Sequence, residues 1–198
     1  MGLELEYNDG QTPLNEEEKE GLLVKSISTH IELNEFEQLN IEKAIEWLLS
    51  RKLKQDKILT EDFIKELHRR MLGDVWAWAG EFRRSEKNIG VSWMKIGIEL
   101  KTLLDDIIYW IANETYPPDE IAIRFKHRLV NIHCFPNGNG RHSRIMADII
   151  VESIFIKEVF SWNNSNMVKP DETRKKYISA IREGDNGHIN ELIEFARN

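Results

Sequence analysis

Residues 133–144 read HCFPNGNGRHSR, and both the residue types and their spacing in this stretch specify a local structure and a chemistry. His133 precedes a loop rich in Pro, Gly and Asn, and Gly138-Asn139-Gly140 leads into an apolar run with helical spacing. Backbone N–H groups at a helix N-terminus face an anion without obstruction where glycine replaces a side chain, and the helix dipole favours negative charge there. Arg141 and Arg144, about one helical turn apart, can donate forked hydrogen bonds to phosphates. The stretch therefore predicts a proton acceptor beside a phosphate-binding helix N-terminus.

Composition limits what the rest of the chain can be. The 198 residues are 41% hydrophobic and 31% charged, which is enough for one well-filled domain. A formal net charge of −7 argues against nucleic acid as the main partner, because such proteins usually carry a broad basic surface. The single cysteine excludes an internal disulfide, and we find neither a leader pattern nor an apolar run of membrane length. We therefore expect a cytoplasmic protein that binds neither nucleic acid nor membrane.

Helical periodicity covers most of the chain and predicts an all-α fold. Thr60 followed by two acidic residues predicts a capped helix start, and Pro117-Pro118 predicts another. The predicted helices cover residues 34–53, 60–67, 96–111, 118–129, 138–154, 171–181 and 186–196. In the first of them, the apolar positions predict the core face, namely Phe36, Leu39, Ala44, Ile45, Leu48 and Leu49.

One segment lacks the helical period. Residues 80–91 read GEFRRSEKNIGV, contain polar turn formers, and predict a short β-hairpin. In a helical protein, an exposed strand edge is a candidate for docking an extended peptide through main-chain hydrogen bonds. An ordinary surface loop is the alternative interpretation.

The two motifs together resemble a known family. Residues 133–144 are similar to the Fic signature HxFx(D/E)GNGRxxR, and Trp78-Ala79-Gly80 followed by residues 83–90 is similar to the segment that leads into the family's target-docking flap. The likeness covers roughly residues 40–195, and the loop sequence also resembles the group called mobile mystery protein B. The resemblance implies a Fic-type helical core over residues 36–198, a short β-hairpin flap near the active site, and protein adenylyltransferase activity.

Roles for individual residues follow from this resemblance. His133 would be the base that takes the proton from a target Ser, Thr or Tyr hydroxyl, a task that suits an imidazole near neutral pH. The loop at residues 134–138, called the glycine loop below, would hold the α- and β-phosphates of ATP together with Asn139. Arg141 would reach the phosphates, and Arg144 would contact the γ-phosphate. The implied nucleotide-binding residues are Gly138, Asn139, Gly140, Arg141 and Arg144, and the implied flap residues are Arg84, Asn88, Ile89, Gly90 and Val91.

One position departs from the signature. Where the family has Asp or Glu, this chain has Asn137, whose amide oxygen can bind Mg²⁺ but supplies no charge. Three interpretations stay open: Mg²⁺ is held mainly by the ATP phosphates, the enzyme is slow, or the nucleotide donor is not ATP.

An inhibitory motif is the second implied element. Ser28 to Glu32 resembles (S/T)xxxE(G/N), although Leu33 replaces the final residue. On a helix, Ser28 and Glu32 share a face, and the carboxylate could pair with Arg144 at the γ-phosphate position. Residues 1–35 are therefore predicted to be an N-terminal segment with an inhibitory helix.

Other chemistries have weaker support. Adjacent residues in an extended segment point to opposite sides, which disfavours Cys134 as a nucleophile activated by His133. The spacing of His133 and His142 matches no common metal motif, so we expect His142 to lie on the helix surface. The alternatives for function are a catalytically idle Fic-fold protein that binds nucleotide or a partner, removal of AMP by water that Glu32 orients, and transfer from another nucleotide. The sequence also leaves a homo-oligomer open.

Overall fold

The computed structural model describes residues 13–162 and 170–198, and helices dominate both ranges. The predicted all-α class is confirmed. The helices are α1 (Glu16–Glu20), α2 (His30–Leu49), α3 (Gln55–Ile58), α4 (Glu61–Leu72), α5 (Ile96–Ala112), α6 (Pro118–Ile132), α7 (Asn139–Ile149), α8 (Pro170–Asp185) and α9 (Asn190–Arg197). A short 3₁₀ helix at Trp93–Lys95 precedes α5, and a π-helical segment at Ile150–Ile154 continues α7.

Local signals set several of these boundaries as the sequence predicts. The Thr60 side chain accepts a hydrogen bond of 3.2 Å from the Phe63 N–H and caps α4. Pro118 occupies the first position of α6, where its missing N–H leaves no bond unmade. The glycine loop ends at Gly138, after which α7 begins. The starts of these three helices are therefore encoded close by in the chain.

Packing places α6 and α7 at the centre. Helix α6 contacts α5, α7 and α9, while α7 also contacts α4, and α2 packs along α4. On α6 the buried face includes Ile121, Phe125 and Leu129, and on α7 it includes Met146 and Ile149. The loop between α6 and α7 therefore joins two core helices, which fixes both of its ends.

The predicted core face of α2 is confirmed at Ala44, which is buried, and at Leu48, which packs against the core, and is wrong at its other four positions, which are exposed. Phe36 is 40% exposed and Leu39 is 56% exposed, whereas Glu37 is buried. The side chains of α2 that lie inside are Leu33, Glu37, Asn40, Ile41 and Ala44. Apolar spacing misses this face because two of its five members are polar and find partners on other elements.

The predicted domain boundary at residues 35 and 36 falls inside α2. This helix begins at His30, after a capping box formed by Thr29 and Glu32, and continues to Leu49 without interruption. Residues 1–12 of the predicted N-terminal segment lie outside the described residues. Residues 30–35 therefore belong to the same helix as the residues after them.

The predicted β-hairpin is not formed by the described residues 80–91. The Arg83 N–H donates to the Cys134 carbonyl at 2.9 Å, and the Val91 N–H points at the Ile132 carbonyl at 3.4 Å. Two main-chain donors that could pair the arms with each other are thus directed to the end of α6. The segment is an irregular loop, and residues 81–92 are called the cover loop below.

Within residues 13–162 and 170–198, no helix has both the length and the apolar character needed to cross a bilayer.

Candidate active site

His133 ends α6 in a backbone conformation that directs the chain into the glycine loop. Its φ is +57°, in the left-handed region that residues other than glycine seldom adopt, and its N–H bonds the Leu129 carbonyl at 3.3 Å. The residue is 4% exposed. The pKa of His133 is lowered to about 4, chiefly by burial and also by the positive charges of Arg83 and Lys87, while a hydrogen bond to the Val130 backbone acts in the opposite direction. The imidazole is therefore neutral at physiological pH and can accept a proton.

The glycine loop is held in part by Asn139, the first residue of α7. The Asn139 side chain accepts from the Phe135 N–H at 3.0 Å and donates to the Phe135 carbonyl at 2.8 Å. Gly138 has φ of +78°, and a Cβ there would lie 2.6 Å from Leu72 Cδ1. Both ends of the Asn139 amide are thus used inside the loop. Asn139 can therefore make its predicted phosphate contact through its backbone N–H, which lies in the first turn of α7.

His68 is a buried support of this loop that the sequence prediction missed. Its Nδ1 accepts from the Gly80 N–H at 3.0 Å, so its Nε2 carries the proton and donates to the Asn137 carbonyl at 3.0 Å. Its ring stacks on Phe135 with 3.7 Å between centroids. Burial holds the pKa of His68 well below its usual range. A signal was available, because His68 lies on the core face of α4, four residues after Ile64, where an imidazole needs buried partners.

His142 also lies inside, so its predicted surface position is wrong. It is 1% exposed and its Nε2 lies 3.0 Å from the Ile64 carbonyl. Burial lowers the pKa of His142 to about 4.

Cys134 is also buried, and burial raises the pKa of its thiol to about 12. The thiol is therefore protonated, which agrees with the prediction that it is not a nucleophile.

The two arginines of the motif have different surroundings. Arg141 Nη2 forms an ion pair of 2.7 Å with Glu37 Oε2. Arg144 lies over the ring of Tyr177, with 5.5 Å from its guanidinium carbon to the ring centroid. Among the described residues, no carboxylate forms an ion pair with Arg144. One arginine is therefore held by a carboxylate, and the other rests on an aromatic ring.

The predicted pairing of Glu32 with Arg144 is absent from this structure. The Glu32 carboxylate accepts hydrogen bonds from the Ser28 N–H at 2.9 Å, the Ser28 hydroxyl at 3.1 Å and the Thr29 N–H at 3.0 Å. The backbone donors of Ser28 and Thr29 hold the pKa of Glu32 below its usual range. The carboxylate thus takes part in the cap at the start of α2. Ser28 lies before this helix, so the prediction that Ser28 and Glu32 share a helix face is wrong.

Arg83 fastens the cover loop over His133. Its side chain is buried, its Nε donates to the His133 carbonyl at 2.6 Å, and its Nη1 donates to the Ser85 carbonyl at 2.8 Å. A further donor reaches the Val91 carbonyl. A Cβ at Gly90 would lie only 2.6 Å from the His133 Cβ, so the loop backbone packs directly on the candidate base. The sequence prediction gave Arg83 no structural role.

The N-terminal segment secures the outer side of the cover loop. Lys87 forms an ion pair with Glu18 of α1 and donates to the Pro13 carbonyl at 2.9 Å. The Ser85 hydroxyl donates to the other oxygen of Glu18 at 3.1 Å. The residues predicted for target docking lie along the same loop, where Arg84, Asn88, Ile89 and Gly90 are exposed and Val91 is half-buried. These exposed positions are accessible to a partner, whereas His133 is covered.

The loop does not fit a protein-held Mg²⁺ ion. Asn137 Oδ1 accepts the Gly138 N–H at 2.6 Å, so the amide oxygen that the sequence offers to a metal is directed at the loop backbone. In the two described ranges, no group of three or more His, Cys, Asp and Glu side chains is arranged to hold a metal ion. Mg²⁺ prefers oxygen ligands, and substrate phosphates usually supply some of them together with one or two carboxylates.

Comparison with known proteins finds similarity to one family. Residues 58–151 match the Fic/DOC family. The protein adenylyltransferase Fic of Drosophila virilis is 27% identical in an alignment of 175 positions that covers 86% of this chain and 33% of that protein. The enzyme of the same name from Aedes aegypti is 26% identical over 86% of this chain and 32% of its own length. The chain thus spans about a third of the length of the curated relatives it matches.

Solved structures share the fold. A fragment of Fic-1 from C. elegans has a TM-score of 0.64 and 24% identity, over 80% of this chain and 46% of that one. The BepC protein of Bartonella tribocorum, solved with bound AMPPNP, has a TM-score of 0.68 and 15% identity over 92% of this chain and 98% of that one.

Proposed function

We propose that the protein transfers AMP from ATP to a hydroxyl group of a target protein, on the premise that residues 58–151 match the Fic/DOC family. The observation that carries the proposal is a neutral His133 placed immediately before the glycine loop that opens α7. A base, an anion-binding helix N-terminus and two arginines then lie within one short stretch. The names of the matched relatives and the AMPPNP in the BepC structure support ATP as the donor.

In the proposed reaction, His133 accepts the proton of a Ser, Thr or Tyr hydroxyl while the hydroxyl oxygen bonds to the α-phosphorus of ATP. The bond from the α-phosphorus to the oxygen that bridges to the β-phosphate breaks, and pyrophosphate leaves with that oxygen. Gly138 and Gly140 allow the phosphates close to the backbone N–H groups of α7, and Arg141 and Arg144 offset their charge. Such a base typically contributes about 10²–10⁴-fold to the rate.

The target has to approach through the cover loop. Because His133 is buried beneath Gly90, a target hydroxyl reaches the imidazole only if this part of the loop shifts. An extended target segment that pairs with the exposed backbone at residues 88–90 would supply contacts in place of those lost. Mg²⁺ would arrive bound to the ATP phosphates, and the cytoplasmic location stays a prediction from the sequence.

A second candidate rests on Asn137. A loop without a carboxylate, with its amide oxygen already bonded to Gly138, also suits a protein that binds nucleotide and transfers nothing. Two labelled nucleotides separate the candidates. The protein is incubated with a cell extract and ATP labelled on either the α- or the γ-phosphate.

Adenylyl transfer predicts protein-bound label from the α-phosphate alone. Label from the γ-phosphate alone would mean phosphoryl transfer and would refute the proposal. No label from either, with ATP binding intact, would favour the idle nucleotide-binding protein.

A further inference from the structure

Helix α2 buries a carboxylate although it has apolar residues close by. Glu37 is 3% exposed, while its neighbour Phe36 and the nearby Leu39 are 40% and 56% exposed. Burying an ionised side chain is unfavourable unless a partner and hydrogen bonds compensate for the lost water. Burial of the acidic side chain therefore indicates a specific task for it.

Both oxygens of Glu37 are used. Oε1 accepts from the indole N–H of Trp76 at 2.6 Å, and Oε2 pairs with Arg141 Nη2 at 2.7 Å. Trp76 is fully buried. One turn along α2, the Asn40 side chain donates to the Arg70 carbonyl at 2.9 Å and accepts from the Asp74 N–H at 2.8 Å. The helix is thus held through Asn40 and the carboxylate through Trp76, and both contacts favour the position of Glu37 beside Arg141.

We propose that Glu37 is a positioning residue that holds the guanidinium of Arg141 in place for a nucleotide phosphate. The proposal rests on the proposed function, in which Arg141 contacts the phosphates. A guanidinium has five N–H donors, and the Arg141 side chain is 31% exposed, so donors remain for an anion after one is given to Glu37. Fixing the side chain before the nucleotide arrives removes part of the entropy that binding would otherwise lose.

A blocking role for Glu37 is the competing interpretation. If the carboxylate excluded phosphate, nucleotide binding would have to displace it from Trp76 and leave it buried without a partner. Positioning requires no such displacement, because the contact between Glu37 and Arg141 persists when the nucleotide binds. The two interpretations predict opposite changes in ATP affinity when the charge is removed.

The test is Glu37→Gln, measured by calorimetric titration with ATP and by thermal unfolding. A glutamine keeps an oxygen for the Trp76 N–H but places an NH₂ group against Arg141, so the change removes the ion pair selectively. We expect ATP to bind about tenfold more weakly, since a hydrogen bond to a charged group contributes at least that factor. Glu35→Gln, an exposed carboxylate on the same helix, should bind ATP as the parent does.

Two further variants separate positioning from folding. In an Arg141→Gln background, Glu37→Gln should leave ATP affinity unchanged, because the residue acts through Arg141. Trp76→Phe keeps an aromatic ring and removes the N–H, and it should weaken ATP binding in the same direction by a smaller factor. This variant also serves if Glu37→Gln does not fold.

The outcomes are distinct. ATP affinity that is unchanged or increased in folded Glu37→Gln would overturn the proposal. The proposal would also be overturned if Glu37→Gln lowered ATP affinity equally in the parent and in the Arg141→Gln background. A parent protein that binds ATP but transfers no label would refute adenylyl transfer while the Glu37 comparison still holds. A parent that binds no ATP would overturn both.

Discussion

The glycine loop and the cover loop meet at His133, but they are held in different ways. In the glycine loop, Asn139 bonds both the N–H and the carbonyl of Phe135, four residues away. In the cover loop, Arg83 bonds the His133 carbonyl and Lys87 reaches back to Glu18 in α1, so its contacts join distant parts of the chain. The Asn139 contacts of the glycine loop therefore do not depend on where the cover loop lies. A phosphate site that is formed in advance and a cover that opens for a target are what the proposed reaction needs.

The largest expected effect comes from breaking the glycine loop. In Gly138→Ala the positive φ is strained, which costs about 1–2 kcal/mol of folding stability. The new Cβ also meets the buried Leu72 side chain, and this overpacking costs about 1–3 kcal/mol. We expect loss of both ATP binding and label transfer, measured alongside thermal unfolding. Gly187→Ala is the control, because Gly187 also has a positive φ of +89° but no atoms within 4 Å of the added Cβ. Wild-type ATP binding in folded Gly138→Ala would show that the loop tolerates a different shape.

Breaking the cover loop should have a smaller effect on ATP. Arg83→Met removes the donors to the His133 and Ser85 carbonyls, and one charge-assisted hydrogen bond is worth about 1.5–3 kcal/mol. We expect lower stability, nearly unchanged ATP affinity, and a higher pKa for His133, because the nearby positive charge is lost. Denaturant unfolding and an NMR titration measure these changes. Arg84→Met, at an exposed position, should change neither stability nor that pKa, and a large fall in ATP affinity for Arg83→Met would mean that the two loops are coupled.

The pH dependence of stability sharpens the comparison further. His68, His133 and His142 are buried with lowered pKa values, so between about pH 6.5 and 4 the unfolded chain binds protons that the folded chain does not. The contribution of these histidines to the free energy of unfolding is therefore complete above pH 6.5. It is lost as the pH falls, by up to about 1.4 kcal/mol per pH unit for each histidine. Burial raises the pKa of Asp148 to about 6, which offsets one of the three in this window. Denaturant unfolding from pH 7 to 4 measures the slope, and a flat profile would contradict the burial of the three imidazoles.

The smallest effect is expected at Glu32. Glu32→Ala removes the Glu32 half of the capping box and keeps the Thr29 half, so it should lower the melting temperature slightly. ATP affinity and label transfer should stay unchanged, because the carboxylate does not pair with Arg144 here. Glu35→Ala on the same helix is the control for loss of a surface carboxylate. A clear rise in label transfer by Glu32→Ala alone would restore the inhibitory role that the sequence motif implies.

The sequence predicts the glycine loop better than its surroundings for a physical reason. The signals at Thr60, Pro118 and Gly138 act on neighbouring residues, so they can be recognised without the rest of the fold. The contacts of Arg83 with His133 and of Glu37 with Trp76 span 50 and 39 residues, and no local pattern encodes them. Apolar periodicity also assumes that polar side chains face water. That assumption fails wherever a buried polar group finds a partner, as His68, His142 and Glu37 do.

The most direct test of the central claim is a paired measurement on His133→Ala. Removing the imidazole takes away the base and leaves the glycine loop and both arginines in place. We therefore expect transfer of AMP from α-labelled ATP to protein to fall by about 10²–10⁴-fold, while ATP affinity stays within a factor of about two of the parent's. Equal transfer by the parent and by His133→Ala would contradict the assignment of His133 as the base.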